Sequence, residues 1–111
     1  MKDRDRVYLQ HILDAIRQIE SFSQGIITAD ELRDQPLHRA GIERMLTIIG
    51  EASKQVSPGL KEKHPEVPWK EISGMRDKII HNYFGVDYEA VWLTVKTDIP
   101  DLKEKLIRIF N

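Results

Sequence analysis

The sequence predicts an all-α fold, an up-down bundle of helices joined by short connections. Apolar residues recur at three- and four-residue spacing along most of the 111-residue chain, which is the period of an amphipathic helix. No stretch alternates convincingly between apolar and polar residues at the period of two that a half-buried strand requires. The length fits a single domain covering residues 1–111.

Two long helices are predicted in the first half of the chain, with a short one between them. The first covers about residues 4–23. Thr28 with Glu31 three residues later forms a capping-box pattern, which opens a short helix over about residues 29–34. The second long helix covers about residues 37–56.

Two glycines lie inside this second long helix, nine residues apart. A helical glycine costs about 1 kcal/mol relative to alanine. Gly41 and Gly50 therefore predict close approach of a neighbouring helix or chain. Glu51, beside Gly50, is either solvated or an inward polar contact, and the sequence leaves both open.

The second half of the chain is predicted to hold four further helical segments. Capping residues, prolines and apolar spacing place them at about residues 60–63, 69–84, 88–97 and 99–110, with an extended proline-containing segment at 64–68. Asp87 is the predicted N-cap of the third, and Pro100 begins or kinks the fourth.

Composition excludes several classes of function. With 17 basic and 18 acidic residues the net charge is −1, so the protein does not bind nucleic acid by bulk charge alone. The absence of cysteine excludes thiolate metal sites and cysteine nucleophiles, and the four histidines show no paired ligand spacing. We therefore expect neither a metal nor a cofactor. The charged N-terminus and the lack of a membrane-spanning apolar run predict a cytoplasmic location with no membrane partner.

A dense group of functional side chains lies in the segment Ile72–Tyr83, at the end of the predicted central helix. On this helix Arg76 and His81 project about 140° apart, so they are poorly placed to converge on one atom. Two copies related by a two-fold axis could bring them together in a shared cleft. Asp77 precedes His81 by four residues and could hold its imidazole ring.

These residue types suit the cleavage of RNA without a metal ion. A histidine can move a proton near neutral pH, and an arginine can hold the phosphate that an adjacent 2′-hydroxyl attacks. Spacing alone nevertheless favours a structural explanation, in which Arg76 and His81 are tied to Asp77 and to helix-end carbonyls. From the residues alone, Tyr83 is more simply explained as a core-edge tyrosine with its hydroxyl in water.

Several segments in order along the chain resemble one known family. They are Ile48–Ala52, Pro68-Trp69, the approach Ile72–Met75, the Arg-X4-His-X-Tyr motif from Arg76 to Tyr83, Val86-Asp87 and Asp98–Pro100. Together they resemble the HepT-like branch of the HEPN domains over nearly the whole chain.

The resemblance implies the toxin of a type VII-like HepT/MntA toxin–antitoxin system, a metal-independent endoribonuclease. It implies a HEPN-type bundle that forms a homodimer, with the motif helix at the dimer cleft. Arg76 and His81 would be catalytic and Asp77 supporting. Tyr83 matches the tyrosine to which the partner antitoxin, a minimal nucleotidyltransferase, transfers AMP from ATP, and this inactivates the ribonuclease.

Other basic and polar residues near the motif are candidates for contact with the RNA substrate. Lys78 and Asn82 lie within the motif itself, and Lys70 lies shortly before it. Lys2, Arg4 and Arg6 could contact RNA phosphates, although a solvated charged terminus is the default explanation. Two alternatives remain: a non-catalytic helical subunit that binds a minimal nucleotidyltransferase, and a purely structural helical dimer.

Overall fold

The protein is all-α, as predicted. A computed structural model describes residues 1–81 and 85–111, and the side chains outside residues 78–85. The elements in chain order are α1 (Asp3–Ser23), α2 (Ala29–Arg33), α3 (Pro36–Gln55), α4 (Pro58–Lys63), α5 (Trp69–Ser73), α6 (Met75–Ile79), β1 (Ile80–His81), β2 (Gly85–Val86), α7 (Tyr88–Leu93), a π-helical turn (Thr94–Asp98) and α8 (Ile99–Phe110). β1 and β2 are two-residue segments paired antiparallel.

The long helices α1 and α3 pack antiparallel and form the centre of the bundle. At one end, the Arg4 guanidinium donates to the Gln55 amide oxygen at 3.1 Å. At the other end, the ring of Phe22 lies over Gly41, where an added Cβ would come within 2.7 Å of ring carbons. Gly41 therefore accommodates a close approach of α1, as the sequence predicted, through the ring of Phe22.

The core lies between these two helices and extends toward α5 and α8. Its fully buried side chains are aliphatic: Leu9, Ile12, Ile16, Ile19, Leu32, Ile42, Leu46, Ile49, Ile72, Ile99 and Leu106. Most of the predicted apolar stripe of α1 belongs to this set, although Val7 remains 50% exposed. Burial of this aliphatic surface supplies the main favourable free energy of folding.

The helix starts predicted at Thr28 and Asp87 are confirmed by side-chain caps, and Ser57 caps α4. Thr28 Oγ1 accepts from the Glu31 N–H at 3.1 Å, and Ser57 Oγ accepts from the Leu60 N–H at 3.4 Å. Asp87 Oδ1 accepts from the backbone N–H of the residue three positions later at 3.0 Å. Each cap satisfies an N–H that has no partner within its own helix.

The predicted continuous helix over residues 69–84 is wrong. α5 ends at Ser73, where Gly74 adopts φ −93° and ψ 10°, and α6 ends at Ile79. Ile79 and Ile80 are β-branched, and such residues favour extended backbone over helix. Residues 82–84 of the predicted helix lie outside the described residues.

The break in this helix changes the geometry expected for the motif residues. His81 belongs to β1, so it does not share a helix with Arg76 or Asp77. Neither the 140° separation of Arg76 and His81 nor the four-residue stacking of Asp77 on His81 follows any longer. The assignment of these residues to the site is independent of both arguments and stays a prediction.

The C-terminal helices are continuous where a boundary was predicted. α7 passes into α8 through the π-helical turn Thr94–Asp98. Pro100, at the second position of α8, has no N–H to donate to the carbonyl four residues earlier, and the wider turn accommodates this loss. α8 packs antiparallel to α1: Lys103 Nζ lies 2.9 Å from Glu20 Oε2, and Arg6 lies 5.7 Å from the Phe110 ring.

None of the helices among the described residues combines the length and the apolar character needed to cross a bilayer.

Candidate active site

The segment that carries the motif is held against α3 at Gly50. A Cβ added to Gly50 would lie 3.3 Å from the carbonyl oxygens of Ile72 and Ser73, tighter than ordinary packing. Two serine hydroxyls join the same helices, since Ser53 Oγ and Ser73 Oγ lie 3.0 Å apart. Gly50 thus permits the close approach predicted for it, and the approaching element is the backbone of α5.

Each of these serines also has a backbone partner. The buried Ser53 hydroxyl donates to the Gly50 carbonyl at 2.8 Å, and Ser73 Oγ is bonded to the Trp69 carbonyl at 2.9 Å. The Trp69 indole N–H donates to the His64 carbonyl at 2.9 Å while its ring packs on the core. This network fixes α5 relative to α3 immediately before the motif begins.

An open cleft of about 380 Å³ lies where α3 meets the end of α5 and the start of α6. Seven residues line it: Thr47, Gly50, Glu51, Lys54, Ser73, Arg76 and Asp77. The four lining residues from α3 are at positions 47, 50, 51 and 54. This spacing places them on one face of the helix. The cleft therefore combines the first two motif residues with a polar face of α3.

Arg76 and Asp77 are both exposed on α6. Within the part of the chain that the structure describes, no ion pair engages the Arg76 guanidinium. An exposed arginine in an open cleft can bind a phosphate through two parallel N–H donors. Glu51 is exposed as well. Of the two possibilities that the sequence left open, a solvated carboxylate and an inward polar contact, the structure therefore shows the solvated one.

The remaining predicted site residues are placed only in part. Lys78 belongs to α6 and His81 to β1, but their side chains lie outside the described part of the chain. The predictions for Asn82 and Tyr83 fall on residues outside the described ranges 1–81 and 85–111. The structure brings Arg76 and Asp77 together at the cleft and leaves the other four assignments as predictions.

Glu43 lies one turn before Thr47 on α3, toward the same flank. Burial raises the pKa of its carboxyl above the usual value, and the positive charge of Arg39 offsets part of that rise. The Thr47 hydroxyl donates to the Glu43 carbonyl at 3.1 Å.

Sequence reasoning missed the contribution of α3 to the cleft, Thr47 and Lys54 in particular. Their spacing from Gly50, three residues before it and four after it, was a usable signal. Once Gly50 is taken as the contact with the motif segment, helix periodicity places both residues on the same side. Among the described residues, no group of three or more histidine, aspartate or glutamate side chains is arranged to hold a metal ion.

A model of one protein family matches residues 12–109 of the chain, and its description is "Ribonuclease HepT-like". The chain belongs to the HepT-like ribonuclease family. The family assignment agrees with the resemblance carried by the motif and its flanking segments.

Two curated relatives of this HepT-like chain are similar to it along almost their whole length. A protein of Thermococcus cleftensis named "Probable ribonuclease HepT" is 49% identical over 109 residues, covering 98% of both chains. A protein of Caldanaerobacter subterraneus named "Putative RNase" is 46% identical over 106 residues, covering 96% of this chain and 94% of the relative. No solved structure matches the chain. Ribonuclease activity is thereby supported at the level of the family.

Proposed function

We propose that this protein is the toxin of a type VII-like HepT/MntA toxin–antitoxin system, a metal-independent endoribonuclease that acts in the cytoplasm as a homodimer. Arg76 and His81 are its catalytic residues, and Asp77 supports them. The observation that carries the proposal is the exposed Arg76 guanidinium, which no ion pair engages within the described residues, in an open cleft of a HepT-like fold.

The proposed reaction uses groups of the RNA and of the protein alone. The 2′-oxygen attacks the adjacent phosphorus, and the bond from phosphorus to the 5′-oxygen breaks. A proton leaves the 2′-hydroxyl, and a proton is delivered to the departing 5′-oxygen; His81 is suited to this proton transfer near neutral pH. Arg76 stabilises the negative charge that develops on the phosphoryl oxygens.

Asp77 supports this chemistry from the rim of the cleft. As an exposed carboxylate next to Arg76 in sequence, it can orient a cationic imidazole or guanidinium by hydrogen bonding. The dimer supplies the second wall that a single open cleft lacks, and it allows Arg76 of one copy to face His81 of the other.

Purified Arg76→Ala and His81→Ala variants test the catalytic assignment. Each should lose at least about 100-fold in the rate of RNA cleavage, since each removes charge stabilisation or proton transfer. Cleavage by the parent should persist in EDTA. Circular dichroism and gel filtration should show the parental fold and size for both variants, and Arg17→Ala, on the exposed surface of α1, is the matched control.

Equal cleavage by the parent and both variants would refute the catalytic assignment. Absence of cleavage by the parent, combined with stable binding of a minimal nucleotidyltransferase, would favour the alternative of a non-catalytic partner subunit.

Inactivation by the partner is proposed to occur through AMP on Tyr83. The added phosphate places a negative charge two residues from His81 and would repel and obstruct an RNA phosphate. Intact mass spectrometry after incubation with ATP and the cognate nucleotidyltransferase should show added AMP on the parent and none on Tyr83→Phe. Tyr88→Phe is the control, and AMP that persists on Tyr83→Phe would exclude Tyr83.

A further inference from the structure

A second groove adjoins the Arg76 cleft at the C-terminal end of α3. Its volume is about 300 Å³, and it lies between the start of α1 and the junction of α3 with α4. Lys2, Arg4 and Asp5 line it from the N-terminal side, and Lys54 and Ser57 from the other. Lys54 lines the Arg76 cleft as well, so the two concave surfaces meet at this side chain.

The groove is cationic because three basic side chains outnumber the one carboxylate that lines it. Asp5 Oδ2 accepts from the Ser57 hydroxyl at 2.6 Å, and Asp5 Oδ1 accepts from the Ser57 N–H at 2.8 Å. Lys2, Arg4 and Lys54 contribute three positive charges. The groove therefore carries a net positive charge although the whole chain carries −1.

The three cations are available to a ligand. Arg4 is held by a neutral group, the Gln55 amide oxygen at 3.1 Å, and by the face of the Tyr8 ring at 5.7 Å. Among the residues that the structure describes, Lys2 and Lys54 form no ion pair with a carboxylate. Arg4 is consequently oriented but not neutralised.

The charges around the Arg76 cleft favour one direction for an RNA strand that leaves it. Toward the other flank of α3 the cleft is bordered by Glu51, an exposed carboxylate that repels phosphate. Toward Lys54 it opens onto the basic groove. Lys54 lies one helical turn, about 6 Å, beyond Gly50 along the axis of α3.

On the basis of the ribonuclease function proposed above, we propose that the substrate is single-stranded RNA. Its backbone continues from the Arg76 cleft past Lys54 into the groove formed with Lys2 and Arg4. The contacts are with phosphates, so the groove adds affinity without reading base identity. It makes cleavage depend on several nucleotides on one side of the scissile bond.

Charge-removing variants test this path. Lys54→Gln and Arg4→Gln should each raise the KM for a single-stranded RNA several-fold, with a smaller change in kcat. In each variant the slope of log affinity against log salt should fall by about 0.7, the value for one phosphate contact with a single strand. Lengthening the RNA on the groove side should strengthen binding to the parent more than to either variant.

Arg17→Gln/Arg33→Gln is the matched control, because it removes two positive charges at the opposite end of the bundle. Its KM and salt slope should equal those of the parent. A KM for Lys54→Gln and Arg4→Gln that equals the control value would overturn the path. Preference for double-stranded over single-stranded RNA of the same length would overturn the stated substrate class.

Failure of the path and failure of the ribonuclease proposal are separable. Binding of a 2′-O-methyl RNA, which cannot supply the attacking hydroxyl, is measured by fluorescence anisotropy and requires no cleavage. A parent that binds this RNA through Lys54 and Arg4 but cleaves no RNA would refute the catalysis and leave the path intact. If the parent cleaves RNA and both variants have the parental KM, the path is refuted and the catalysis is left intact.

Discussion

The carboxylate of Asp5 links α1 to the start of α4. It is 2% exposed near the start of α1, and both of its oxygens accept hydrogen bonds from Ser57, the N-cap of α4. Burial by itself raises the pKa of Asp5, but the Ser57 bonds and the nearby charges of Lys2 and Arg4 outweigh it, and the pKa is lowered. The charged form is therefore the one that stabilises the fold.

Replacing Asp5 should destabilise the protein in a pH-dependent way. Asp5→Ala leaves the Ser57 N–H without its partner, so the free energy of unfolding at pH 7 should fall by about 1–3 kcal/mol. A lowered folded-state pKa gives stability that is present above the unfolded pKa of about 4 and is lost as pH falls through the folded value. The deficit of Asp5→Ala should therefore shrink below pH 4.

Chemical denaturation of parent and variant at pH 7 and pH 3 measures this. Asp14→Ala is the control, since Asp14 is exposed on α1 and its ion pair with Arg17 contributes little. A deficit of the same size at both pH values would show that the Asp5 charge plays no part.

The local signals that sequence provides were sufficient for individual caps. Thr28 and Asp87 were each identified from the residues within three positions of them, and each caps a helix. Asp5 was not identified, because its partner Ser57 is 52 positions away. Only the packing of α1 on α3 brings the two together.

At the scale of elements, Gly50 controls the distance between α3 and α5. Gly50→Ala adds a Cβ that meets two backbone carbonyls at 3.3 Å, and backbone cannot move aside as a flexible side chain can. Alanine also gains about 1 kcal/mol of helix propensity over glycine. We expect the clash to exceed this gain, giving net destabilisation of about 1 kcal/mol, which is within the usual range for overpacking.

Gly59→Ala provides the matched comparison. Gly59 lies in α4, and no atom lies within 4 Å of an added Cβ. Its substitution should leave the melting temperature unchanged or raise it, while Gly50→Ala lowers it. Equal shifts in the same direction would mean that the approach of α5 to α3 does not depend on glycine.

The elements most faithfully predicted were the long amphipathic ones. α1 and α3 differ from the predicted bounds by only one residue at either end. The predicted helix over 69–84 failed because its apolar spacing continues through Gly74 and Ile79, where the backbone changes direction. Apolar periodicity reports which side chains are buried, and it does not distinguish one helix from two short ones joined by a bend.

At the scale of the whole molecule, the motif residues of the candidate site could be predicted from the sequence, but the residues that other helices add to its surface could not. Arg76 and Asp77 were named from the motif and lie at a cleft. Lys54 was not named, and an RNA contact of Arg4 was only an alternative to a solvated terminus, since the two residues are 50 positions apart and are joined only by antiparallel packing of α1 and α3. A long-range arrangement of this kind leaves no trace in local spacing.

The proposed dimeric site can be tested by mixing two inactive variants. If Arg76 of one copy works with His81 of the other, a heterodimer of Arg76→Ala and His81→Ala contains one intact site and one doubly defective site. Random association should then restore about a quarter of the parental activity, since half of the dimers are mixed and half of their sites are intact. The two variants are unfolded together, refolded and assayed for RNA cleavage.

Mixing Arg76→Ala with the double variant Arg76→Ala/His81→Ala is the control and should restore nothing. No recovery in the first mixture, with mixed dimers shown by native mass spectrometry, would place both catalytic residues of each site in one chain.

The contact between Arg6 and the Phe110 ring brings residues near the two ends of the chain to within 5.7 Å of each other. A short linker could therefore join the ends and produce a circular permutant. Gly25 is a suitable new opening, because it lies in the connection between α1 and α2 at φ 82° with open space around it. In such a permutant the free ends and any affinity tag would lie at the opposite end of the bundle from the basic groove, which would separate the contribution of the groove from that of a free terminus.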